Sequence, residues 1–331
     1  MRHLPLRLSA LVGAGLLLSV PAAAWAADTL FTVAEPGLTH VVGAARDPGN
    51  GLYWLVQPSE AVPEADYDDD LDGDGIRDDD WVEPEVRSVV VGVDAAGQTQ
   101  ARIRFKHATP NAAALAYYGD SLYVADIADP NLDRETVAVY GMPAGTVAGD
   151  QEVPYTGFEL EYPDGPHDAA ALLVHPSDGH LEIVTLDGQR YSAPVELSAV
   201  NPTTLRLEGP APAGVVDGLY LSDNLVALRT ATQVMTVDAG TWAVQEEDPL
   251  DLAGESLTLN LEGTGLVAVG LGEAPVAQAV AVPAPETVST QAAAPSAGDV
   301  TKQVSRSGTL LMVVAAGALA VIAGILAFLR R

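Results

Sequence analysis

A hairpin unit recurs along the chain, and this recurrence constrains the fold more than any other feature of the sequence. Each copy has a run of small and apolar residues, then a polar turn, then a strand that opens with leucine. The strand-opening leucines are Leu52, Leu122, Leu181, Leu225 and Leu266. No long segment between residues 28 and 271 has the period of an amphipathic helix, so the pattern predicts an all-β domain.

The spacing of the copies favours a β-propeller. Successive leucines lie 41 to 70 residues apart, and four-stranded propeller blades recur at roughly 40–50 residues. Small residues on the first strand of each unit would let several strands converge on a central channel. Candidate outer strands follow at residues 88–93, 136–140 and 233–237. We therefore expect a propeller of five to seven blades, with a β-sandwich of irregular hairpins as the alternative.

The two ends of the chain indicate export and anchoring. Residues 1–26 have a basic start, an apolar stretch and an Ala-Trp-Ala cleavage site, which is typical of a signal peptide. The alternative is an uncleaved first transmembrane helix. Residues 309–329 are uncharged and apolar, about 30 Å long as a helix, and therefore predict a transmembrane helix.

The rest of the chain fits a single-pass membrane protein of type I. Residues 330–331 are both Arg, which places this short tail in the cytoplasm by the positive-inside rule. Residues 272–308 are rich in Ala, Pro, Val, Thr and Ser, a composition that predicts a disordered stalk. The extracellular β-propeller domain is then expected at residues 27–271, joined to the cell membrane by the C-terminal helix.

Charge and cysteine content exclude several classes of function. The formal net charge of the 331 residues is −29, so no nucleic-acid partner is expected, because phosphate binding needs clustered Lys and Arg. The chain has no cysteine, which excludes disulfide scaffolds, thiolate zinc sites, iron–sulfur clusters and cysteine nucleophiles.

Two segments carry a resemblance to a known family. Residues 122–131, Leu-Tyr-Val-Ala-Asp-Ile-Ala-Asp-Pro-Asn, and residues 162–174, Tyr-Pro-Asp-Gly-Pro-His-Asp-Ala-Ala-Ala-Leu-Leu-Val, resemble secreted actinobacterial β-propeller proteins. That family is similar in turn to phytase-like esterase and WD40-like propellers. In these relatives an Asp-x-Glu-Ala-Leu motif often has glutamate where this chain has Ala113 and Ala170, although Asp168 is kept. The resemblance therefore implies a fold more than a reaction.

An aspartate-rich segment at residues 66–80 is the sharpest local signal. Nine of its fifteen residues are aspartate, and such a run repels itself unless a cation gathers it. The calcium ligands expected from the register are Asp70, Asp72, Asp74 and Asp78, with the backbone carbonyl of Ile76. All are hard oxygen donors, which indicate calcium rather than zinc or copper.

This segment resembles the calcium loops of thrombospondin type 3 repeats, whose Asp-Gly-Asp-Gly-Ile core is present at residues 72–76. It departs from that pattern at the twelfth position, where Trp81 replaces an acid. A register that starts at Asp68 and a disordered acidic surface loop are the alternatives. The expected role of the calcium is structural, because binding would order a long insertion.

The sequence alone does not decide whether the chain is an enzyme. No nucleophile elbow, zinc-protease helix or phosphate-binding loop occurs. His167 and Asp168 are placed at the mouth of the expected channel, where a general base could act, whereas His175 and His180 bracket a hairpin turn and are interpreted as turn structure.

Two functions follow from these features. The first is a binding or display module at the cell surface, with an extracellular protein, a glycan or a wall component as partner and no catalytic residue. The alternative is a phytase-like, esterase-like or lactonase-like hydrolase that uses channel carboxylates and calcium. Three or more acids that converge in the channel would favour the hydrolase, and a lining of small and apolar residues would favour binding.

Overall fold

The computed structural model describes residues 28–60, 87–144 and 149–284, and every regular element in these ranges is a β-strand. In chain order the strands are β1 (Thr29–Thr32), β2 (Gly43–Asp47), β3 (Leu52–Val56), β4 (Ser88–Val93), β5 (Thr99–Phe105), β6 (Ala112–Tyr118), β7 (Ser121–Asp126), β8 (Val137–Pro143), β9 (Gly149–Glu152), β10 (Thr156–Glu161), β11 (Ala169–Val174), β12 (Leu181–Thr185), β13 (Gln189–Ser192), β14 (Thr203–Thr204), β15 (Arg206–Pro210), β16 (Val215–Ser222), β17 (Leu225–Thr230), β18 (Gln233–Asp238), β19 (Val244–Pro249), β20 (Ser256–Leu259), β21 (Leu266–Val269) and β22 (Val276–Val280).

The strands form the five sheets of a five-bladed β-propeller. From the centre outward the blades are β2-β3-β4-β5-β9, β6-β7-β8-β10-β14, β11-β12-β13-β15, β16-β17-β18-β19 and β20-β21-β22-β1. The inner strands β2, β6, β11, β16 and β20 pack against one another in a closed ring. The expectation of an all-β propeller with five to seven blades is confirmed, and the sandwich alternative is wrong.

The recurrent units of the sequence are the inner hairpins of these blades. Each strand-opening leucine lies at or next to the start of the second strand of a blade: β3, β7, β12, β17 or β21. The candidate outer strands correspond to β4, β8 and β18, which are the third strands of the first, second and fourth blades. Each of the five recurrent units therefore corresponds to one blade, although the sequence analysis left the number of blades between five and seven.

The N-terminal strand closes the ring. β1 pairs antiparallel with β22 and forms the outermost strand of the fifth blade, whose other strands come from the end of the domain. The sequence analysis ended the propeller at residue 271, whereas β22 lies beyond that residue and its Ala277 is completely buried. The composition of β22, Val-Ala-Gln-Ala-Val, resembles that of a stalk, yet small apolar residues also fit a strand between two neighbours.

Two short strands join neighbouring blades at the rim. β9 leaves the second blade between β8 and β10 and pairs parallel with β5 of the first blade. β14 leaves the third blade between β13 and β15 and pairs parallel with β10 of the second. Each crossover covers an edge strand whose main-chain groups would otherwise be open to pairing.

The hydrophobic core is divided among the five interfaces between blades. Side chains on opposite faces of one strand serve different interfaces, as the two-residue period of a strand requires. On β2, Ala44 faces the fifth blade and Ala45 faces the second. On β11, Leu172 faces the second blade and Leu173 faces the fourth. Because each blade is covered on both faces, a strand inside it such as β3 is apolar and buried along its whole length.

Several sequence predictions lie outside the described residues. They are the signal peptide at residues 1–26, the aspartate segment at 66–80 with its calcium ligands, residues 285–308 of the stalk, and the helix at 309–329. Within residues 28–60, 87–144 and 149–284, no helix has the length and apolar character needed to cross a bilayer.

Candidate functional site at the channel mouth

A central cavity of about 320 Å³ lies on the axis of the propeller and is lined by all five inner strands. The lining residues come mainly from the C-terminal halves of these strands, and we call this end the channel mouth. Most are alanine, leucine or valine. The polar or charged ones are Arg46, Tyr117, Tyr118, Tyr220 and Thr258. Small residues such as Ala44, Ala116 and Gly218 are interspersed among the larger ones.

Tyrosine hydroxyls at the channel mouth are held by acidic partners. The hydroxyl of Tyr117 donates to Asp120 at 3.0 Å, and that of Tyr220 donates to Glu182 at 2.9 Å. Burial raises the pKa of both tyrosines, and the acidic partner of each adds to the rise. Both hydroxyls therefore stay protonated at neutral pH, and the rings are fixed in place.

Arg46 is the charged residue of the cavity lining among the residues that the structure describes. Its Nη1 atom lies 3.4 Å from the carbonyl oxygens of Asn260 and Leu261, so the side chain reaches from the first blade to the fifth. A cation and three aromatic rings on rigid strands form a surface rich in the residue types that dominate binding energies at protein interfaces.

Within residues 28–60, 87–144 and 149–284, the cavity lining contains no carboxylate. Ala113 and Ala170, where the resembling family often has glutamate, lie near the N-terminal ends of β6 and β11, and the strand register shifts at both positions. The convergent acids that would favour a hydrolase are thus not found among the described residues that line this cavity.

His167 and Asp168 do not line the cavity. They directly precede β11, whereas the cavity is lined by Leu172, Leu173 and Val174 at the other end of that strand. His167 Nε2 lies 2.7 Å from the Tyr191 hydroxyl, and Asp168 accepts a hydrogen bond from the Asp129 amide at 2.8 Å. The pair therefore lies at the end of β11 opposite to the cavity.

The hairpin between β11 and β12 brings two histidines and an aspartate together beside the channel mouth. Asp178 Oδ1 lies 2.6 Å from His180 Nδ1 and 3.4 Å from His175 Nδ1. The two imidazole rings stack with their centroids 4.7 Å apart. One potential ligand atom from each residue lies within 4.8 Å of the others. The hydrogen bond that Asp178 accepts from His180 lowers the pKa of Asp178, which keeps the carboxylate ionised.

Residues of both neighbouring blades contact this hairpin. Gly179 has a φ of +77°, and the ring of Tyr118 from the second blade occupies the space where a Cβ would stand. The ring of Tyr220 from the fourth blade meets that of His175 edge-on at 4.9 Å. Because Tyr118 and Tyr220 also line the cavity, the hairpin belongs to the rim of the channel mouth.

A buried carboxylate lies behind the hairpin. Glu182, whose side chain is 5% exposed, places Oε1 3.3 Å from His180 Nε2 and 3.2 Å from Arg190 Nη1. Its other oxygen accepts the Tyr220 hydrogen bond. The guanidinium of Arg190 in turn lies 4.5 Å from the centre of the Trp242 ring. The orientation of His180 is therefore fixed by a network that spans two blades.

The sequence analysis interpreted His175 and His180 only as turn structure. The signal that was available is the His-x-x-Asp-x-His spacing across a hairpin turn. The main-chain amide of His175 donates to the carbonyl of His180 at 2.9 Å, so the two histidines face each other across the hairpin. Residues at such positions have adjacent side chains, which the two-residue period of the strands makes predictable.

A second cavity of about 240 Å³ lies at the rim of the second blade and is lined by aromatic residues. The Tyr140 hydroxyl and His107 Nε2 are 2.6 Å apart, and Tyr155 packs edge-on against Tyr140. Burial lowers the pKa of His107 and raises the pKa of Tyr140 to about 12. At neutral pH this pair is therefore an uncharged imidazole and a protonated phenol.

Comparison with known proteins gives no family assignment. No family model matches the chain, and no curated protein matches it. Among solved structures it is similar to U3-55K, with 12% identity and a TM-score of 0.37 over 75% of this chain and 98% of that chain. A similarity at this level carries no argument about function. The five-bladed fold rests on the strand order of the chain itself.

Proposed function

We propose that the chain is a binding or display module anchored at the outer face of the cell membrane, with the channel mouth as its binding surface. The observation that carries this proposal is the composition of that surface, where three tyrosines and Arg46 surround small and apolar residues. Tyrosine provides a large contact area at a low cost in side-chain entropy, and both tyrosine and arginine are enriched among the residues that dominate binding energies at interfaces. The partner is an extracellular protein or a glycan.

Site-specific photo-crosslinking on intact cells tests this surface. A photoreactive amino acid replaces Tyr118 at the channel mouth or, as the matched control, Tyr155 in the rim cavity. We expect an adduct from position 118 and little from 155. Treatment of the adduct with a protease or a glycosidase then distinguishes a protein partner from a glycan. Equal labelling at the two positions, or none at 118, would refute the proposed binding surface.

The anchoring part of the proposal rests on residues 1–26 and 309–329. A chain that ends at residue 308 should appear in the culture medium, whereas the full chain should stay with the membrane fraction. Protease added to intact cells should remove the propeller of the full chain. Retention of the shortened chain inside the cell would contradict the proposed orientation.

The calcium part of the proposal rests on the aspartate segment. Calorimetric titration of the full chain with calcium should give a binding isotherm, and the thermal midpoint should rise with calcium, since a ligand that binds the folded state stabilises it. The D72N/D74N variant should lose both effects. An unchanged thermal midpoint together with no calcium heat would remove the calcium site.

A further inference from the structure

We infer that the hairpin between β11 and β12 is a binding site for one Zn²⁺ ion, with His175, Asp178 and His180 as its protein ligands. This site is separate from the aspartate segment, and it goes beyond the proposed binding function without depending on it. Two imidazoles and a carboxylate form a mixed nitrogen and oxygen donor set, which suits zinc and not calcium.

The donor atoms are already close to the spacing that zinc requires. Zinc bonds of 2.0–2.1 Å at tetrahedral angles separate ligand atoms by roughly 3.3 Å. Asp178 Oδ1 lies 3.4 Å from His175 Nδ1 and 2.6 Å from His180 Nδ1, and the second of these contacts must open. One ligand atom from each of the three residues lies within 4.8 Å of the others. Asp178 is half-exposed on the hairpin, so this adjustment displaces little else.

A buried acceptor on the far side of His180 is the second, independent observation. A histidine that binds zinc through one ring nitrogen usually donates its other N–H to a carboxylate or carbonyl. Glu182 Oε1 stands 3.3 Å from His180 Nε2, and Arg190 and Tyr220 hold this carboxylate in place. Without metal, His180 Nδ1 donates its proton to Asp178 Oδ1. Zinc would displace this proton, and the proton on Nε2 would then be directed at Glu182 Oε1.

The proposed zinc site lies beside the channel mouth and has an open coordination position. Three protein ligands leave one tetrahedral position for water or for an oxygen of a bound molecule. His175 packs against Tyr220, and Val174 next to it lines the central cavity. An ion on this hairpin would therefore add a positive charge at the rim of the channel mouth, in a protein whose formal net charge is −29.

Zinc titration of the metal-stripped full chain tests the inference. The titration is made by calorimetry in detergent solution with calcium in excess, so that oxygen-only sites are already filled. We expect one zinc per chain for the wild type and at least a hundred-fold weaker binding for the H175Q/H180Q variant. The matched control is H40Q, because His40 lies elsewhere on the surface, 3.5 Å from Glu255. Wild-type affinity in H175Q/H180Q, or a loss in H40Q, would overturn the inference.

The Glu182→Gln variant tests the role of the buried acceptor. Loss of such a partner costs about 10–100-fold in metal affinity, and the stoichiometry should stay at one. A merely structural role of Glu182 would lower the thermal midpoint of the metal-free protein and leave the zinc affinity unchanged.

A measurement on the wild type alone guards against variants that fail to fold. Diethyl pyrocarbonate modifies accessible imidazole nitrogens, and mass spectrometry reports the extent of labelling. Zinc should protect the peptide that contains His175 and His180 while labelling of His40 stays constant. Equal labelling of that peptide with and without zinc would refute the site.

Discussion

Gly43 on β2 lies in close contact with the backbone of β6. A Cβ at this position would contact the amide nitrogen of Leu115 and stand 2.7 Å from the carbonyl carbon of Ala114. Both are backbone atoms of β6, so they cannot rotate away. The absence of a Cβ at Gly43 is therefore required for the ring to close here.

The G43A variant should lower the free energy of unfolding by at least about 2 kcal/mol, because overpacking forces backbone shifts. Gly141 on β8 is the matched control, since an added Cβ would meet only ring atoms of Phe158 and Tyr123, at 3.3 and 3.4 Å. G141A should change the free energy by less than about 1 kcal/mol. Urea denaturation measures both, and equal effects of the two variants would contradict the backbone contact.

His107 makes the stability depend on pH. Burial lowers its pKa in the folded state, so on acidification the unfolded chain takes up this proton first. The stability that the neutral imidazole contributes is therefore fully present above the unfolded pKa of about 6.5 and is lost as the pH falls toward the folded pKa.

The H107N variant cannot titrate at this position and should lose less free energy of unfolding between pH 7.5 and pH 5.5 than the wild type. H40N removes an exposed histidine and should follow the wild type. Urea denaturation at the two pH values provides the comparison. Parallel losses in H107N and the wild type would show that His107 is not responsible.

At the residue scale the sequence predicted some features of the channel mouth and missed others. The alanines of the inner strands were visible as a pattern, and they do line or approach the axis. The contacts that Tyr220 makes with His175 and with Glu182 were not visible in the sequence. They form between blades and depend on the packing of residues that are far apart in the chain. The aspartate calcium ligands remain a prediction from sequence.

At the scale of the strand, Asp217 and Arg229 link the fourth blade to the fifth. They are cross-strand partners on β16 and β17, and both are fully or almost fully buried. Asp217 accepts the amide of Leu257 on β20 at 2.6 Å, and Arg229 donates to the carbonyl of Ser256 at 2.6 Å and to that of Leu252 at 2.8 Å. Burial raises the pKa of Asp217 and lowers that of Arg229 to about 10, so the guanidinium is charged at neutral pH.

The R229M variant should lower the free energy of unfolding by about 3–5 kcal/mol, because it leaves several buried carbonyls without their donor and removes the positive charge near Asp217. R206M is the matched control, since the Arg206 side chain is 78% exposed and its pair with Glu208 lies on the surface. That variant should cost less than about 1 kcal/mol. Denaturation by urea measures the two, and a small effect of R229M would mean that water replaces the guanidinium.

The elements were predictable to different degrees for a physical reason. The inner hairpins combine apolar strands with glycine or aspartate turns, and these local signals identified all five. β9 reads Gly-Asp-Gln-Glu and β14 reads Thr-Thr, and both pair through the main chain at an exposed edge. Their side chains do not alternate between apolar and polar, so the local sequence does not predict these two strands. β22 was missed because its composition continues into the expected stalk.

At the scale of the whole molecule, ring closure depends on a strand of only four residues. Phe31 on β1 is 6% exposed, and its ring lies 5.3 Å from that of Tyr53 in the first blade. Leu30 next to it is 44% exposed. Substitution of Phe31 removes a buried side chain, whereas substitution of Leu30 removes an exposed one from the same strand. Comparison of the two therefore isolates the contribution of side-chain packing at the ring closure from that of main-chain pairing.

The F31A variant should lower the free energy of unfolding by about 3–5 kcal/mol, the usual range for a buried phenylalanine, whereas L30A should change it by about 0.5 kcal/mol or less. Hydrogen exchange by mass spectrometry should show faster exchange in β1 and β22 together for F31A. If β1 alone loses protection and the global free energy is unchanged, the strand is not needed to hold the ring.

The two crossovers at the rim have a consequence for how this propeller could be recombined. β9 belongs by sequence to the second blade but completes the first, and β14 belongs to the third but completes the second. If one of these blades were replaced by the contiguous segment of another protein, its neighbour would lose its outermost strand, or a crossover strand would have no sheet to pair with. Grafting at this rim must therefore move cut points into the crossovers, so that each transplanted piece keeps the sheet it completes.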